Sequence, residues 1–98
     1  MALKKEITLI NGIVLNYHRI VSVNKITNNQ NVIEVGSYVN ETQRQKEIEY
    51  YNSTDPNKSM NVYIHTGYVY KEYDEDETIT DLYEYLKNTE MFKDAEDI

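Results

Sequence analysis

Apolar and polar residues alternate along four segments of this 98-residue chain, and alternation is the period of a β-strand. The pattern predicts strands at about 4–10, 13–23, 31–39 and 60–73. The spacing changes at 79–88, where apolar residues recur at i, i+3, i+4 and i+7, as on one face of a helix. These residues are Ile79, Leu82, Tyr83 and Leu86. The chain therefore predicts several strands followed by one amphipathic helix.

The first two strands are predicted to form a β-hairpin. Asn11 and Gly12 fit the two left-handed positions of a type I′ turn, which places Ile10 opposite Ile13. The two strands would then lie side by side and antiparallel.

Strict alternation breaks at 17–19, and two explanations remain open. One is a β-bulge at this point, which would turn Ile20 or Val21 back toward the core. The other is a long central strand that is covered on both faces over part of its length. We favour the bulge.

Residues 40–59 show no clear period. Residues 41–47 favour a helix by propensity, but Ile48 has few apolar partners at helical spacing. Pro56 then lies in a stretch with the composition of a loop. We predict a short helical turn or a mobile excursion here.

The start of the final helix carries a recognisable signal. Thr78 followed by Asp81 resembles a capping box, although aspartate reaches back less well than glutamate. Strands followed by a helix are typical of the α+β class. We therefore expect one domain over 1–98, an α+β fold with an antiparallel sheet of about four strands and the C-terminal helix packed on one face.

Composition excludes several kinds of protein. A net charge of -7 argues against nucleic-acid binding, and the absence of cysteine excludes disulfides and thiolate sites. No apolar run is long enough to span a membrane or to form a secretory signal. Much of the excess acid lies at 74–77 and in the tail 93–97, which we interpret as a solvated helix start and a solvating or frayed end.

Few residues are suited to catalysis or metal binding. The two histidines, His18 and His65, lie in predicted strands and lack the spacing of a metal site. The acidic run 74–77 lacks the alternating ligands and central glycine of a calcium loop. We expect no enzyme activity, no metal and no cofactor.

Tyrosine is the unusual component, with 10 of 98 residues against a single phenylalanine. Its apolar ring and polar hydroxyl suit sheet faces and contact surfaces. One interpretation is that Tyr83 and one face of the last strand belong to the core and that the other tyrosines cover the sheet edge. The other is a contact patch for a protein or a glycan, formed by Tyr63 and Tyr73, with Tyr50 and Tyr51 beside them.

Two segments carry a resemblance to known proteins. They are KKEITLINGIVLNYHRIVSV at 4–23 and DLYEYLKNTEMFKDAED at 81–97. Together they resemble short uncharacterised proteins of phages and prophages of Gram-positive bacteria, which are encoded near tail and baseplate genes. The resemblance covers about a third of the chain and carries over no functional residues.

The resemblance implies a structural or accessory protein of the tail tip or baseplate that acts by protein contacts. Its partners would be other tail or baseplate subunits or a second copy of itself, with no nucleic acid and no membrane. It would be made in the host cytoplasm and end in the virion. Two alternatives remain: an acidic inhibitor of a host protein, and a module that binds cell-surface carbohydrate.

Overall fold

The computed structural model describes residues 1–52 and 63–98, without the side chain of Tyr50. The elements, in chain order, are β1 (Leu3–Thr8), β2 (Val14–Ile26), β3 (Gln30–Tyr38), α1 (Glu41–Asn52), β4 (His65–Glu72), α2 (Ile79–Lys87) and β5 (Glu96–Asp97). The strands form one antiparallel sheet in the order β4-β3-β2-β1-β5. The α+β class and the antiparallel sheet are confirmed, but the described sheet has five strands and not four.

The β1–β2 hairpin forms with a different turn from the predicted one. The Gly12 amide donates to the Leu9 carbonyl at 2.9 Å, and the Leu9 amide donates to the Ile13 carbonyl at 2.8 Å. Only Gly12 in this loop has a positive φ, +89°. The side chain of Asn11 accepts a hydrogen bond from the Ile13 amide at 3.2 Å instead of the residue adopting a left-handed backbone. The loop thus has three residues, and the predicted type I′ turn and its register are wrong.

Strand β2 contains a bulge, but at Val21 and not at 17–19, where its pairing with β3 is regular. The break in alternation at 17–19 instead agrees with the other explanation, since Leu15 and His18 lie on opposite faces of β2 and both are buried. The pairing with β3 shifts between Ile20 and Ser22, so Val21 is the extra residue. A second shift lies in β1 between Lys4 and Ile7. The hydroxyl of Tyr83 in α2 accepts a hydrogen bond from the Ile20 amide at 2.9 Å. The helix therefore satisfies a backbone donor beside the bulge.

Helix α2 contributes three buried residues to the apolar core. Its residues Leu82, Tyr83 and Leu86 pack with Ile33 and other sheet residues in one cluster. The capping box is confirmed: the Thr78 hydroxyl accepts from the Asp81 amide at 3.2 Å, and the Asp81 carboxylate accepts from the Thr78 amide at 3.1 Å. The predicted helix is correct to within one residue at the C-terminal end. Leu82, Tyr83 and Leu86 of its predicted apolar stripe are buried, but Ile79 is 50% exposed, so that part of the stripe is wrong.

Residues 40–52 differ from the predicted turn or mobile excursion. Glu41–Asn52 forms the twelve-residue helix α1. Its residue Glu47 contacts Tyr38 and Arg19, whereas the α2 core includes Ile20, the residue after Arg19. Because side chains alternate across a sheet, α1 and α2 lie on opposite faces. The rest of the predicted excursion, and residues 60–62 of the predicted last strand, lie outside the described residues.

The acidic tail is ordered against the sheet. Glu96 and Asp97 form β5 beside Lys4 and Leu3, and the Asp97 carboxylate lies 2.8 Å from the ammonium of Lys87. The prediction of a solvating or frayed end is therefore wrong, because backbone pairing with β1 and this ion pair hold the segment in place.

Gly36 in β3 lies where two side chains converge on the sheet. A Cβ atom built there would lie 2.8 Å from Cγ1 of the bulged Val21 and 3.2 Å from the ring of Tyr63. Contacts this short require a neighbour to move. The glycine therefore permits the close approach of Tyr63 to the sheet.

Candidate contact surface

One part of the sheet, on the same face as α1, is exposed and rich in tyrosine. Two rows cross β2, β3 and β4 there, because Glu34 pairs with both Ser22 and Tyr68, and Val32 pairs with both Asn24 and Tyr70. We call these residues the tyrosine face: Ser22, Asn24, Val32, Glu34, Tyr68 and Tyr70. Tyr68 and Tyr70 each keep 59% of their area exposed. Because Tyr68 and Tyr70 are two residues apart on one strand, their Cα atoms lie about 7 Å from each other.

Tyr68 is fixed in place by its neighbours. Its hydroxyl donates to Oε2 of Glu34 at 3.0 Å, and the Ser22 hydroxyl donates to Oε1 of the same carboxylate at 3.0 Å. The hydrogen bond to Glu34 raises the pKa of Tyr68, so the hydroxyl stays protonated. A ring held in this way loses little side-chain freedom when a partner covers it.

The predicted tyrosine patch is spread across the molecule. Tyr63 precedes β4 and is half-buried, with its ring 5.8 Å from that of Tyr38. Tyr73 follows β4 and is also half-buried, so the two tyrosines lie at opposite ends of the strand, about 30 Å apart. Tyr51 is 47% exposed on α1. The structure does not join Tyr63 and Tyr73 in one surface, and a contact role for any of these residues stays a prediction.

Sequence reasoning missed Tyr68 and Tyr70 as the exposed pair. Alternation along the predicted strand 60–73 places them on the opposite face from Val69, but both faces of that strand have similar apolar content. Tyr63 does not follow the alternation, since its ring lies against Gly36 and Tyr38, on the same face as Tyr68. The decisive fact is that Val69 packs against the α2 core, which leaves its neighbours on the open side. A signal was present in the pairing partners, because Ser22, Asn24 and Glu34 are polar.

A buried carboxylate anchors α1 beside the tyrosine face. Glu47 is fully buried, and its Oε1 accepts from the Tyr38 hydroxyl at 2.7 Å and from Nη1 of Arg44 at 2.6 Å. Nη2 of Arg19 lies 3.6 Å from the same oxygen, and Nε of Arg19 donates to the Tyr38 hydroxyl at 3.0 Å. Burial first, and then the hydrogen bond to Glu47, raise the pKa of Tyr38 to about 12. The two guanidinium groups compensate the buried charge.

The histidines lie on the α2 face, in line with a serine. Ser37 in β3 pairs with His18 on one side and His65 on the other. The Lys5 carbonyl can only accept, so Nε2 of His18 donates to it at 2.7 Å, and Nδ1 accepts from the Ser37 hydroxyl at 2.7 Å. Burial lowers the pKa of His18, which keeps the ring neutral.

A shallow cleft of about 290 Å³ borders this row and is lined by Ser37, His65 and apolar residues that include Val69 and Phe92. His18 is 1% exposed and both of its ring nitrogens are bonded within the protein. A serine–histidine contact has the form of a nucleophile and its base. Here it serves as a hydrogen-bond chain that joins β1, β2 and β3.

The acidic turn before α2 is tied to the sheet. Lys25 donates to the backbone carbonyls of Glu75 and Glu77 at 2.8 and 3.2 Å. The Glu77 carboxylate lies 3.0 Å from the ammonium of Lys71 and accepts from Asn31 at 3.2 Å. Within residues 1–52 and 63–98, no group of three or more histidines or acidic residues is arranged to hold a metal. The Glu77 carboxylate and the two backbone carbonyls therefore hold this turn against the sheet.

No protein-family model matches this chain, and neither the curated proteins nor the solved structures contain a significant match. Among the described residues, no helix has the length and apolar character needed to cross a lipid bilayer.

Proposed function

We propose that this protein is a non-enzymatic structural or accessory component of a phage, positioned at the tail tip or baseplate, and that it acts by protein contacts through the tyrosine face. The observation that supports the contact is the exposed pair Tyr68 and Tyr70, with Tyr68 already held by Glu34. The phage context is supported by the resemblance of segments 4–23 and 81–97.

The chemistry of the tyrosine face suits a protein partner. Tyrosine rings supply apolar area and a polar tip, and they are enriched where proteins bind one another. The face also offers two hydrogen-bonding groups, the side-chain amide of Asn24 and the carboxylate of Glu34. A complementary partner would present apolar or aromatic side chains against the rings and hydrogen-bond donors against Glu34.

A tail particle would multiply a modest affinity. Subunits arranged by rotation around the tail axis present the same surface several times. Several weak contacts made together then hold far better than one, because each bound copy raises the local concentration of the next site. A small exposed face of this kind is therefore sufficient for a stable place in a particle.

The test combines particle composition with a binding measurement. Mass spectrometry of purified particles should detect this protein, and a pull-down with tail components should retain them. Tyr68→Ala with Tyr70→Ala should weaken that retention at least about tenfold, since exposed aromatic anchors at interfaces contribute on the order of 1–2 kcal/mol each.

The matched control removes exposed apolar area elsewhere. Ile10→Ala with Ile79→Ala changes residues that are 108% and 50% exposed, outside the tyrosine face, and should leave binding unchanged. Absence from particles, together with a host enzyme as the captured partner, would replace the proposal with the inhibitor alternative. Equal loss of binding in both double variants would remove the tyrosine face from it.

A carbohydrate ligand is the second candidate, favoured by one observation. Two neighbouring exposed rings lie beside the polar side chains of Asn24 and Glu34, and sugars bind where ring faces and hydrogen-bonding groups adjoin. A glycan array probed with the native chain and with the Tyr68→Ala/Tyr70→Ala chain separates the candidates. Hits that vanish in the variant would favour the sugar, and an array without hits would remove it.

A further inference from the structure

We propose that two copies of this chain pair through the outer edge of β4, antiparallel about a two-fold axis, so that two five-stranded sheets become one. This inference goes beyond the proposed function, because the second copy pairs with the edge of β4 and leaves the tyrosine face open to other partners. Within residues 1–52 and 63–98, β4 is an edge strand with no further strand beside it. An unpaired edge presents backbone donors and acceptors to any strand that matches it.

The two edges of the sheet differ in how they are protected. The β5 edge has only two residues, Glu96 and Asp97, and both are acidic, which discourages pairing. The β4 edge has eight residues in unbroken register with β3, without a bulge. It also lacks proline, the other common device against edge pairing.

The charged side chain of Lys71, near the end of β4, is paired within its own chain. Lysine on an edge strand usually prevents pairing. Here the ammonium of Lys71 lies 3.0 Å from the carboxylate of Glu77 and 5.3 Å from the centre of the Tyr85 ring. Both partners belong to the same chain and lie on the α2 side, so the lysine does not guard the edge.

Symmetry limits the possible registers. An axis normal to the sheet places one residue opposite its own copy, and residues on either side then pair reciprocally. With Val69 on the axis, Tyr68 of each copy lies opposite Tyr70 of the other copy. Aromatic residues directly opposite each other are among the favourable pairs of an antiparallel sheet.

The same register avoids repulsion between the copies. Lys71 lies opposite Gly67 and Glu72 lies opposite Thr66, so no two like charges face each other. Because paired residues share a face, the two tyrosine faces join into one surface with four exposed rings. The dimer would therefore present twice the contact area of a single chain, on one side of a continuous sheet.

Cysteine cross-linking tests the register directly, because the described chain and the full sequence contain no cysteine. In the chain carrying Tyr68→Cys and Tyr70→Cys, mild oxidation should give a covalent dimer. Mass spectrometry of its peptides should show position 68 joined to position 70. Dimers joined only as 68–68 or 70–70, or no dimer at all, would overturn the register.

Charge exchange tests the association itself, measured by sedimentation equilibrium. The native chain should dimerise, and Tyr68→Lys/Tyr70→Lys should raise the dissociation constant at least tenfold, because lysine then faces lysine. Tyr68→Glu/Tyr70→Glu should do the same, and an equimolar mixture of the two variants should restore a dimer. Asn24→Lys, on the same face but on β2, should leave the native dimer intact.

The outcomes separate this inference from the proposed function. A native chain that remains monomeric into the high micromolar range, yet binds tail components, would overturn the pairing and leave the contact function standing. A dimer whose dissociation constant responds to Asn24→Lys as strongly as to the β4 variants would also overturn it, because the faces and not the edges would then be in contact. A dimer that is absent from particles would support the pairing and remove the phage role.

Discussion

Helices α1 and α2 are of similar length, and they lie on opposite faces of one sheet, but different physical terms hold them there. Helix α2 buries Leu82, Tyr83 and Leu86 in the apolar core. Helix α1 contacts the sheet through a buried carboxylate, Glu47, which meets Tyr38 and Arg19. The stabilisation of α2 grows with the area removed from water, whereas that of α1 depends on a few atoms being correctly placed.

This difference predicts that α1 can detach from the sheet on its own, whereas α2 cannot. A helix that forms part of the core can leave only when the core opens, so its loss is global. A helix attached through a charged cluster can detach while the sheet persists, because water can replace the lost hydrogen bonds. Arg19 and Arg44 keep 23% and 19% of their side-chain area exposed, so solvent already reaches both.

Leu86→Ala should have the largest effect. The leucine is fully buried, and its truncation removes apolar contacts and leaves a cavity. We expect the free energy of unfolding to fall by about 3 kcal/mol. Urea denaturation followed by far-UV circular dichroism measures it, and Ile79→Ala, half-exposed on the same helix, is the control with an expected change under about 1 kcal/mol. Equal losses in the two variants would contradict the assigned role of α2.

Glu47→Ala should cost less, about 2 kcal/mol, and act locally, because the two guanidinium groups left behind are partly reached by solvent. The change leaves Tyr38 without its acceptor and two guanidinium groups without their carboxylate, although solvent can partly compensate these. Hydrogen exchange should therefore accelerate at the amides of α1 while the β2–β3 pair remains protected. Glu49→Ala, the same change at an exposed position of α1, should leave exchange unchanged. Uniform acceleration across the sheet would show that α1 is part of the global core.

Alkaline pH should have the smallest effect. Through Tyr38 it should lower the free energy of unfolding by on the order of 1 kcal/mol after solvent screening. The pKa of Tyr38 is raised from 10.0 to about 12 in the folded protein. Between these values the unfolded chain loses a proton that the folded chain keeps, so stability falls as pH rises. Tyr38→Phe should be less stable at neutral pH but lose less over the same pH range. Parallel slopes for the two chains would assign the alkaline loss to other tyrosines.

The comparison also explains how far the sequence could predict the fold. The apolar stripe and the capping box of α2 are local signals, and they predict the helix correctly except that Ile79, at its first position, is half-exposed. Helix α1 carries almost no stripe, because the residue that anchors it is a glutamate, whose role depends on Arg19 and Tyr38 being brought near by the sheet. No window of neighbouring residues contains that information. Strand β5 was missed for the same reason, since its pairing partner lies at the other end of the chain.

The sequence indicates that a tyrosine-rich contact surface exists, but it does not show where on the fold that surface lies. An excess of tyrosine indicates contact surfaces, and the last strand was correctly placed among the tyrosine-bearing segments. Which side of β4 faces solvent depends on where α2 packs, and residues Tyr68 and Val69 have comparable apolar area to offer. The bulge at Val21 and the three-residue turn at Gly12 change register by single residues, and such shifts arise from local backbone geometry that alternation alone does not encode.

The hydrogen atom that serves as the side chain of Gly36 has a consequence for the direction of the chain. Tyr63 rests its ring against that position just before β4 begins, with Val21 pressing from the neighbouring strand. One added methyl group would lie 2.8 Å from Cγ1 of Val21 and 3.2 Å from the ring of Tyr63, so these side chains would have to move. The position of Tyr63, and with it the point at which the chain enters β4, thus depends on the absence of a side chain at Gly36.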